Sequence, residues 1–205
     1  MQKIRTYSSD EKLVAERREQ IVRSAVRIIV KKGFGGTGIR EIAQACNMTI
    51  GNLYHYIGKK EDIIFLAQDF GLAWNYQFVD RTRQDLASSS PRDALARAIE
   101  RYVRHIDNTF EFTNLVYKEL RSFKSASRKA VLESEMAITD AFEEILKKGC
   151  SEGDFKLSDT RLAASGIVTT AEMWAIKQWQ FKGSYTLDQY IRTNTEFILK
   201  QVGAI

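Results

Sequence analysis

Proline is nearly missing from this 205-residue chain, and Pro91 is the only one. Proline removes a backbone donor and clashes with the preceding helical turn, so a chain this poor in it has few enforced helix breaks. Histidine is scarce as well, at His55 and His105 alone. Neither has a Ser/Asp or Cys arrangement beside it, and the chain has no HExxH and no P-loop. Adjacent acids such as Glu143 and Glu144 fit an ordinary helix surface. No catalytic site and no cofactor are therefore expected. The two cysteines, Cys46 and Cys150, form no CxxC pair and no Cys/His cluster. That argues against a metal site and against a disulfide framework, and suits a reducing cytoplasm. No stretch of about 18 uninterrupted apolar residues exists, so no membrane partner is expected. Residues 1–10 lack an apolar signal core, which points to a cytoplasmic location.

What is present is helical pattern and an uneven charge. Charged residues make up 28% and apolar ones 44%, a balance that supports a packed core rather than a disordered chain. Net charge is +5. Residues 1–60 carry twelve Lys and Arg against five Asp and Glu, a net of +7; residues 61–205 carry nineteen against twenty-one, a net of −2. A basic N-terminal part on a nearly neutral remainder suits a polyanion-binding module joined to something else, with a solvated basic surface as the alternative.

Apolar residues recur at helical spacing along the chain, and alternating strand-like runs are lacking. The fold class is all-α. Helix one is expected from about Ser9 to Lys32, capped by Ser8 with Glu11, with Ile21, Ala25, Ile28 and Ile29 inward. Lys31, Lys32 and Gly33 read as its end. Short helices follow from about Ile39 to Cys46 and from Ile50 to Tyr56. Helix four starts near Lys60 and carries Ile63, Leu66, Phe70, Trp74 and Phe78. Ser90 and Pro91 start the next helix, with Leu95, Ala98, Ile99, Tyr102 and Ile106 on its inner side. Later helices are expected over 112–123, 128–148 (ended by Gly149 and Gly153), 159–181 and 187–202.

Residues 38–57, GIREIAQACNMTIGNLYHYI, have the pattern of a helix-turn-helix. Ile39, Ile42 and Ala43 make an inner face. Asn47 tolerates the left-handed turn, Met48 is buried, and Thr49 caps the second helix. With Leu53 and Ile57 inward, Thr49, Ile50, Gly51, Asn52, Tyr54 and His55 remain for the outer face or N-terminus, the part of a recognition helix that meets base edges in the major groove.

The segment RREQIVRSAVRIIVKKGFGGTGIREIAQACNMTIGNLYHYIGKKEDI resembles the N-terminal domain of TetR-type repressors. The resemblance lies in Gly33-Phe34, in REIA at Arg40–Ala43, in GNLYHY at Gly51–Tyr56 and in KKEDI at Lys59–Ile63. Gly38, Asn47, Ile50 and Ile57 depart from the family's usual residues. The resemblance implies an N-terminal three-helix DNA-binding domain (1–58), joined by helix four to a larger ligand-binding and dimerisation domain (59–205), about nine helices in total. It implies a homodimer that binds double-stranded palindromic operator DNA and is released by a small-molecule effector. Carried onto this chain, it implies phosphate or base contacts by Thr37, Arg40, Thr49, Gly51, Asn52, Tyr54, His55 and Lys60. Tyr54 also fits packing on helix one, and Arg40 an ion pair. Ile50, apolar where the family is often polar, is expected to meet a thymine methyl.

In the remainder, Ala163, Gly166, Thr170 and Trp174, with Ile191 and Ile198, are expected at the dimer interface, part of that stripe being core. Tyr102, Phe110, Phe112, Leu115, Val116, Tyr117 and Phe123, with Trp174, fit an effector pocket or plain core. The stretches LVYKELRSFKSASRKAVLESE and FEEILKKGCSEGDF, with a later Trp-x4-Trp pair, look like the acyl-CoA-responsive, FadR-like branch. Lys118, Arg121, Lys124, Arg128 and Lys129 would then face the cofactor phosphates. A hydrophobic drug or aromatic acid is the alternative effector, and a ligand-free DNA-binding protein the alternative function.

Overall fold

The computed structural model describes residue 4 and residues 10–111, 113 and 125–203. Among them nine helices form: α1 Glu11–Lys32, α2 Ile39–Ala45, α3 Ile50–Tyr56, α4 Asp62–Ser88, α5 Pro91–Asn108, α6 Ser125–Glu152, α7 Thr160–Ile176, α8 Gln178–Phe181 and α9 Leu187–Gln201. The all-α reading is correct. Two compact units share the chain. The described residues up to Ala73, with 125–131, belong to one, and Trp74–Thr113 with those from Leu132 onward to the other. The division between these contact units falls inside α4 and inside α6.

In the first unit α1 packs on both α2 and α3. Its inner face is Ile21, Val22, Ala25, Val26 and Ile29, with Ile28 only half-buried. The cap of α1 is Asp10, which accepts from the Leu13 N–H, and not the expected Ser8. Gly33 ends the helix at φ 77°, a conformation that costs a residue with a Cβ. The run Gly33–Gly38, GFGGTG, has the GxGxxG spacing of a dinucleotide loop. Here it follows a helix, whereas that chemistry needs a strand leading in and a helix N-terminus behind. Lys59 and Lys60 lie in the turn before α4, not on it. Asp62 draws that turn closed by accepting from the Gly58 and Lys59 N–H groups at 2.9 and 3.0 Å.

In the second unit α5 packs against α7 and α9, and α9 against α7. Ser90 caps α5 and Pro91 is its first residue, as expected. Leu95, Ala98, Ile99, Tyr102 and Ile106 form its buried stripe, and Ile138, Phe142 and Ile145 of α6 meet the same core. The expected helix over 112–123 lies outside the described residues, apart from Thr113. Two expected ends move. Gly149 does not end α6, which runs on to Glu152, and Gly153 turns the chain at φ 87°. The 159–181 helix breaks at Lys177 into α7 and α8.

Gly149 has a packing role instead, because a Cβ there would fall inside the van der Waals contact of the Phe155 ring, itself buried. Gly149→Ala gains helix propensity but overpacks this site, so a net loss of about 1–2 kcal/mol is expected. Urea unfolding checks it, with Gly166→Ala as a control where an added Cβ meets nothing within 4 Å.

Candidate nucleic-acid interface

The motif is assembled from short-range bonds the sequence dictates. Ile42, Ala43, Leu53 and Ile57 are buried, and Ala43 is small where α2 meets α3. Between them the chain reverses. The Ala43 carbonyl accepts from the Met48 N–H at 2.9 Å, and Asn47 takes φ 54°. Asn and Asp enter this left-handed region more readily than other residues bearing a Cβ. Thr49 then caps α3, its Oγ1 accepting from the Asn52 N–H at 3.1 Å. Met48 is half-buried rather than fully inside.

This geometry leaves Thr49, Gly51, Asn52, Tyr54 and His55 exposed on α3 and its cap, with Ile50 half-buried. Tyr54 is 39% exposed. Arg40, on α2, is exposed and makes no ion pair among the described residues, because Glu41 takes Lys32 instead. Two of the expected contact residues are engaged within the protein. Thr37 is 1% exposed, and its hydroxyl donates to the Gly33 carbonyl at 2.8 Å, so its side chain is a loop tie and not a surface group. Lys60 is half-buried and its ammonium donates to two backbone carbonyls. Sequence reading missed Arg18 and Gln20 on α1. Arg18 Nε donates to the Tyr56 carbonyl and Gln20 Nε2 to the Cys46 carbonyl, each at 3.0 Å. Both are polar residues on a charged helix face, and no sequence signal distinguishes them from their neighbours.

Inside the second unit, Tyr102 meets a carboxylate. It is buried, and its hydroxyl donates to Glu172 Oε1 at 2.8 Å. Glu135 on α6 shares a hydrogen bond with the Glu172 carboxyl. Burial first, then the charge and bond of Glu172, push Glu135 up to about 8. His105 lies flat on Trp74 with ring centroids 3.3 Å apart, and burial pushes it down to about 3, so it is neutral near pH 7. Glu172 had a legible signal, being the only charged residue in the run LAASGIVTTAEMW. Phe110 is half-buried against the core. Arg128 is exposed. Phe112, Leu115, Tyr117 and Arg121 lie outside the described residues.

Residues 88–202 match the family model described as Tetracyclin repressor-like, C-terminal domain, and residues 21–67 match the one described as Bacterial regulatory proteins, tetR family. The chain belongs to the TetR family. The HTH-type transcriptional regulator HbdR of Aromatoleum sp. (strain CIB) is 28% identical to this TetR-family chain over 188 residues, 92% of this chain and 81% of HbdR. Two solved structures share the fold. AibR in complex with isovaleryl coenzyme A and operator DNA matches with a TM-score of 0.72 at 22% identity, over 88% of this chain and 97% of that one. FadR from Bacillus subtilis in complex with stearoyl-CoA matches with a TM-score of 0.62 at 23% identity, over the same shares.

The expected dimer residues of this TetR-family chain separate into two groups. Trp174, Ile191 and Ile198 are buried within the protomer, Trp174 donating through Nε1 to Asp107 Oδ1 at 2.7 Å. They are core, because the apolar stripe that suggested an interface is also the inner face of α7 and α9. Gly166 is exposed, and Ala163 and Thr170 are half-buried. Beside them Leu162 is 70% exposed on α7 and Phe197 49% exposed on α9. These two large apolar residues are the outward ones that the sequence stripe overlooked. Among the described residues, no helix is long and apolar enough to cross a membrane.

Proposed function

We propose that this TetR-family protein is a ligand-responsive transcriptional repressor that binds palindromic operator DNA as a homodimer and is released by a small hydrophobic effector. The observation that carries the reading is the α2–turn–α3 motif, with Thr49, Gly51, Asn52, Tyr54, His55 and Arg40 turned outward in the basic part of the chain. Ile50, at the first position of α3, would meet a thymine methyl. Residues 1–58 serve DNA binding, and 59–205 effector binding and dimerisation. The protein acts in the cytoplasm and performs no catalysis.

An acyl-CoA is the favoured effector class. Its support is the basic run that includes Arg128 and Lys129, together with the thioesters bound by AibR and FadR. Such a ligand induces only by binding the DNA-incompetent state more tightly. A fluorescence-anisotropy titration tests both halves of the reading. Wild type should bind a duplex with half-sites about 34–36 Å apart, and lose at least about 100-fold in affinity between roughly 50 and 200 mM salt. Isovaleryl-CoA or longer acyl-CoAs should release it where the free acids do not, and Arg128→Ala should blunt the response. Equal release by free acids would replace the thioester with an apolar acid or drug. A flat salt response would remove DNA binding itself.

A further inference from the structure

We propose that Lys60 is a positioning residue for DNA recognition, its ammonium holding the loop between α1 and α2 through backbone carbonyls instead of ligating a phosphate. This rests on the reading of α2–α3 as the DNA-binding motif. Lys60 Nζ donates to the Phe34 carbonyl at 2.8 Å and to the Thr37 carbonyl at 2.9 Å. It also sits 4.2 Å from the centroid of the Phe34 ring. An ammonium has three N–H donors; two are engaged by carbonyls, and the ring face attracts the charge. One N–H is left over, but moving the ammonium out to a phosphate would stretch or break both carbonyl bonds and the ring contact.

The loop needs such an anchor. Four of its six residues from 33 to 38 are glycine, the residue that loses most conformational freedom on ordering. Gly38 caps α2 with no side-chain bond. The entry of α2 therefore depends on a local tie, the Thr37 hydroxyl on Gly33, and on a tertiary one, Lys60 on Phe34 and Thr37. The other two joints of the motif are built the same way. Gln20 holds the carbonyl of Cys46 after α2, and Arg18 that of Tyr56 at the end of α3. Each joint has a long donor side chain from outside α2 and α3 on a backbone carbonyl. Arg40 and Lys59, in contrast, are exposed cations with no ion pair among the described residues. They are the groups left for phosphate.

Salt dependence separates holding from contacting. A lost phosphate contact lowers the slope of log affinity against log salt by about 0.9 per contact, hence by about two in a dimer. A lost clamp weakens binding at every salt with the slope unchanged. The duplex is one selected by wild-type protein from a random pool, and the variants are Lys60→Met, Phe34→Leu and Arg40→Gln, each checked by circular dichroism for helix content. Lys60→Met should weaken binding about tenfold or more, the scale of a lost charge-assisted hydrogen bond, with the wild-type slope. Phe34→Leu removes no charge and should shift affinity in the same direction, again with the wild-type slope, which keeps the test open if Lys60→Met folds poorly. Arg40→Gln should flatten the slope. A slope loss in Lys60→Met equal to that in Arg40→Gln, or wild-type affinity in both Lys60→Met and Phe34→Leu, overturns the proposal. A wild type that selects no duplex overturns the DNA-binding reading instead.

Discussion

Gly166→Arg should make the protein monomeric and weaken operator binding by about 10²–10⁴-fold, the advantage that a linked second half-site provides. Two recognition helices must be held at fixed separation to meet successive major grooves, and only a dimer does this. The outward face of α7 runs from Leu162 through Gly166 to Thr169, and Phe197 is outward on α9. A small residue at the centre of such a stripe lets two helices approach closely. An arginine there would block the approach and bring like charges together across a two-fold axis. Within the protomer the substitution meets no obstacle, since a Cβ at Gly166 finds nothing within 4 Å. Replacing a mid-helix glycine also favours the helix by a few tenths to about 1 kcal/mol. Thermal stability of the protomer should therefore hold while the sedimentation coefficient drops to that of a monomer at micromolar concentration. Ile198→Asp should behave differently and unfold the second unit, because Ile198 is buried in its core. A Gly166→Arg protein that still sediments as a dimer would place the interface elsewhere.

Stability of the second unit should fall as pH rises from about 6.5 to about 8, and Glu135→Gln should abolish most of that fall. Burial, reinforced by Glu172, raises Glu135 from 4.5 to about 8, so between these values the native state holds a proton that the unfolded chain releases. His105, lowered by burial from 6.5 to about 3, works the other way and offsets this loss below about 6.5, which leaves the window above it to Glu135. Unfolding free energy then decreases with pH. The stabilisation is complete below the unfolded value and gone once pH passes the folded one. The reason is local. Glu135 and Glu172 share a hydrogen bond that needs a proton, Tyr102 already donates to Glu172, and neutral His105 supplies no compensating charge. All three tryptophans, Trp74, Trp174 and Trp179, lie in this unit, so their emission follows its melting. Each 1 kcal/mol lost corresponds to about 2–4 °C in Tm for a chain of this size, and a drop of at least that is expected across the window. Glu135→Gln should melt at a higher temperature than wild type at pH 8 and converge with it near pH 5. Parallel profiles in the two proteins would mean the pair is solvated.

The recognition motif was legible because its determinants are local. Asn47 at the turn, Thr49 as cap, and Leu53 and Ile57 as inner face all act through bonds or contacts within a few residues, and the structure places each as its residue type requires. The start of α5 at Ser90-Pro91 was legible for the same reason. Two expected helix ends were misplaced. Gly149 looked like a helix terminator but is a packing gap for Phe155, and Ser8 looked like a cap beside an equally suitable Asp10.

By itself the sequence determined that the chain is helical, that its basic end carries a helix-turn-helix, and which residues of α3 face outward. Periodicity and capping are properties of neighbouring residues, so no other part of the chain is needed to read them. Tertiary structure alone decided which apolar residues of α7 and α9 are core and which are surface. Trp174, Ile191 and Ile198 share a helical stripe with residues that stay outside, and a stripe broad enough for two partners does not say which partner is which. The same holds for charge. Lys60 has the side chain of a DNA contact, but the Phe34 and Thr37 carbonyls that the fold brings to it take up its hydrogen bonds, because a polar group drawn out of water must be satisfied within the protein.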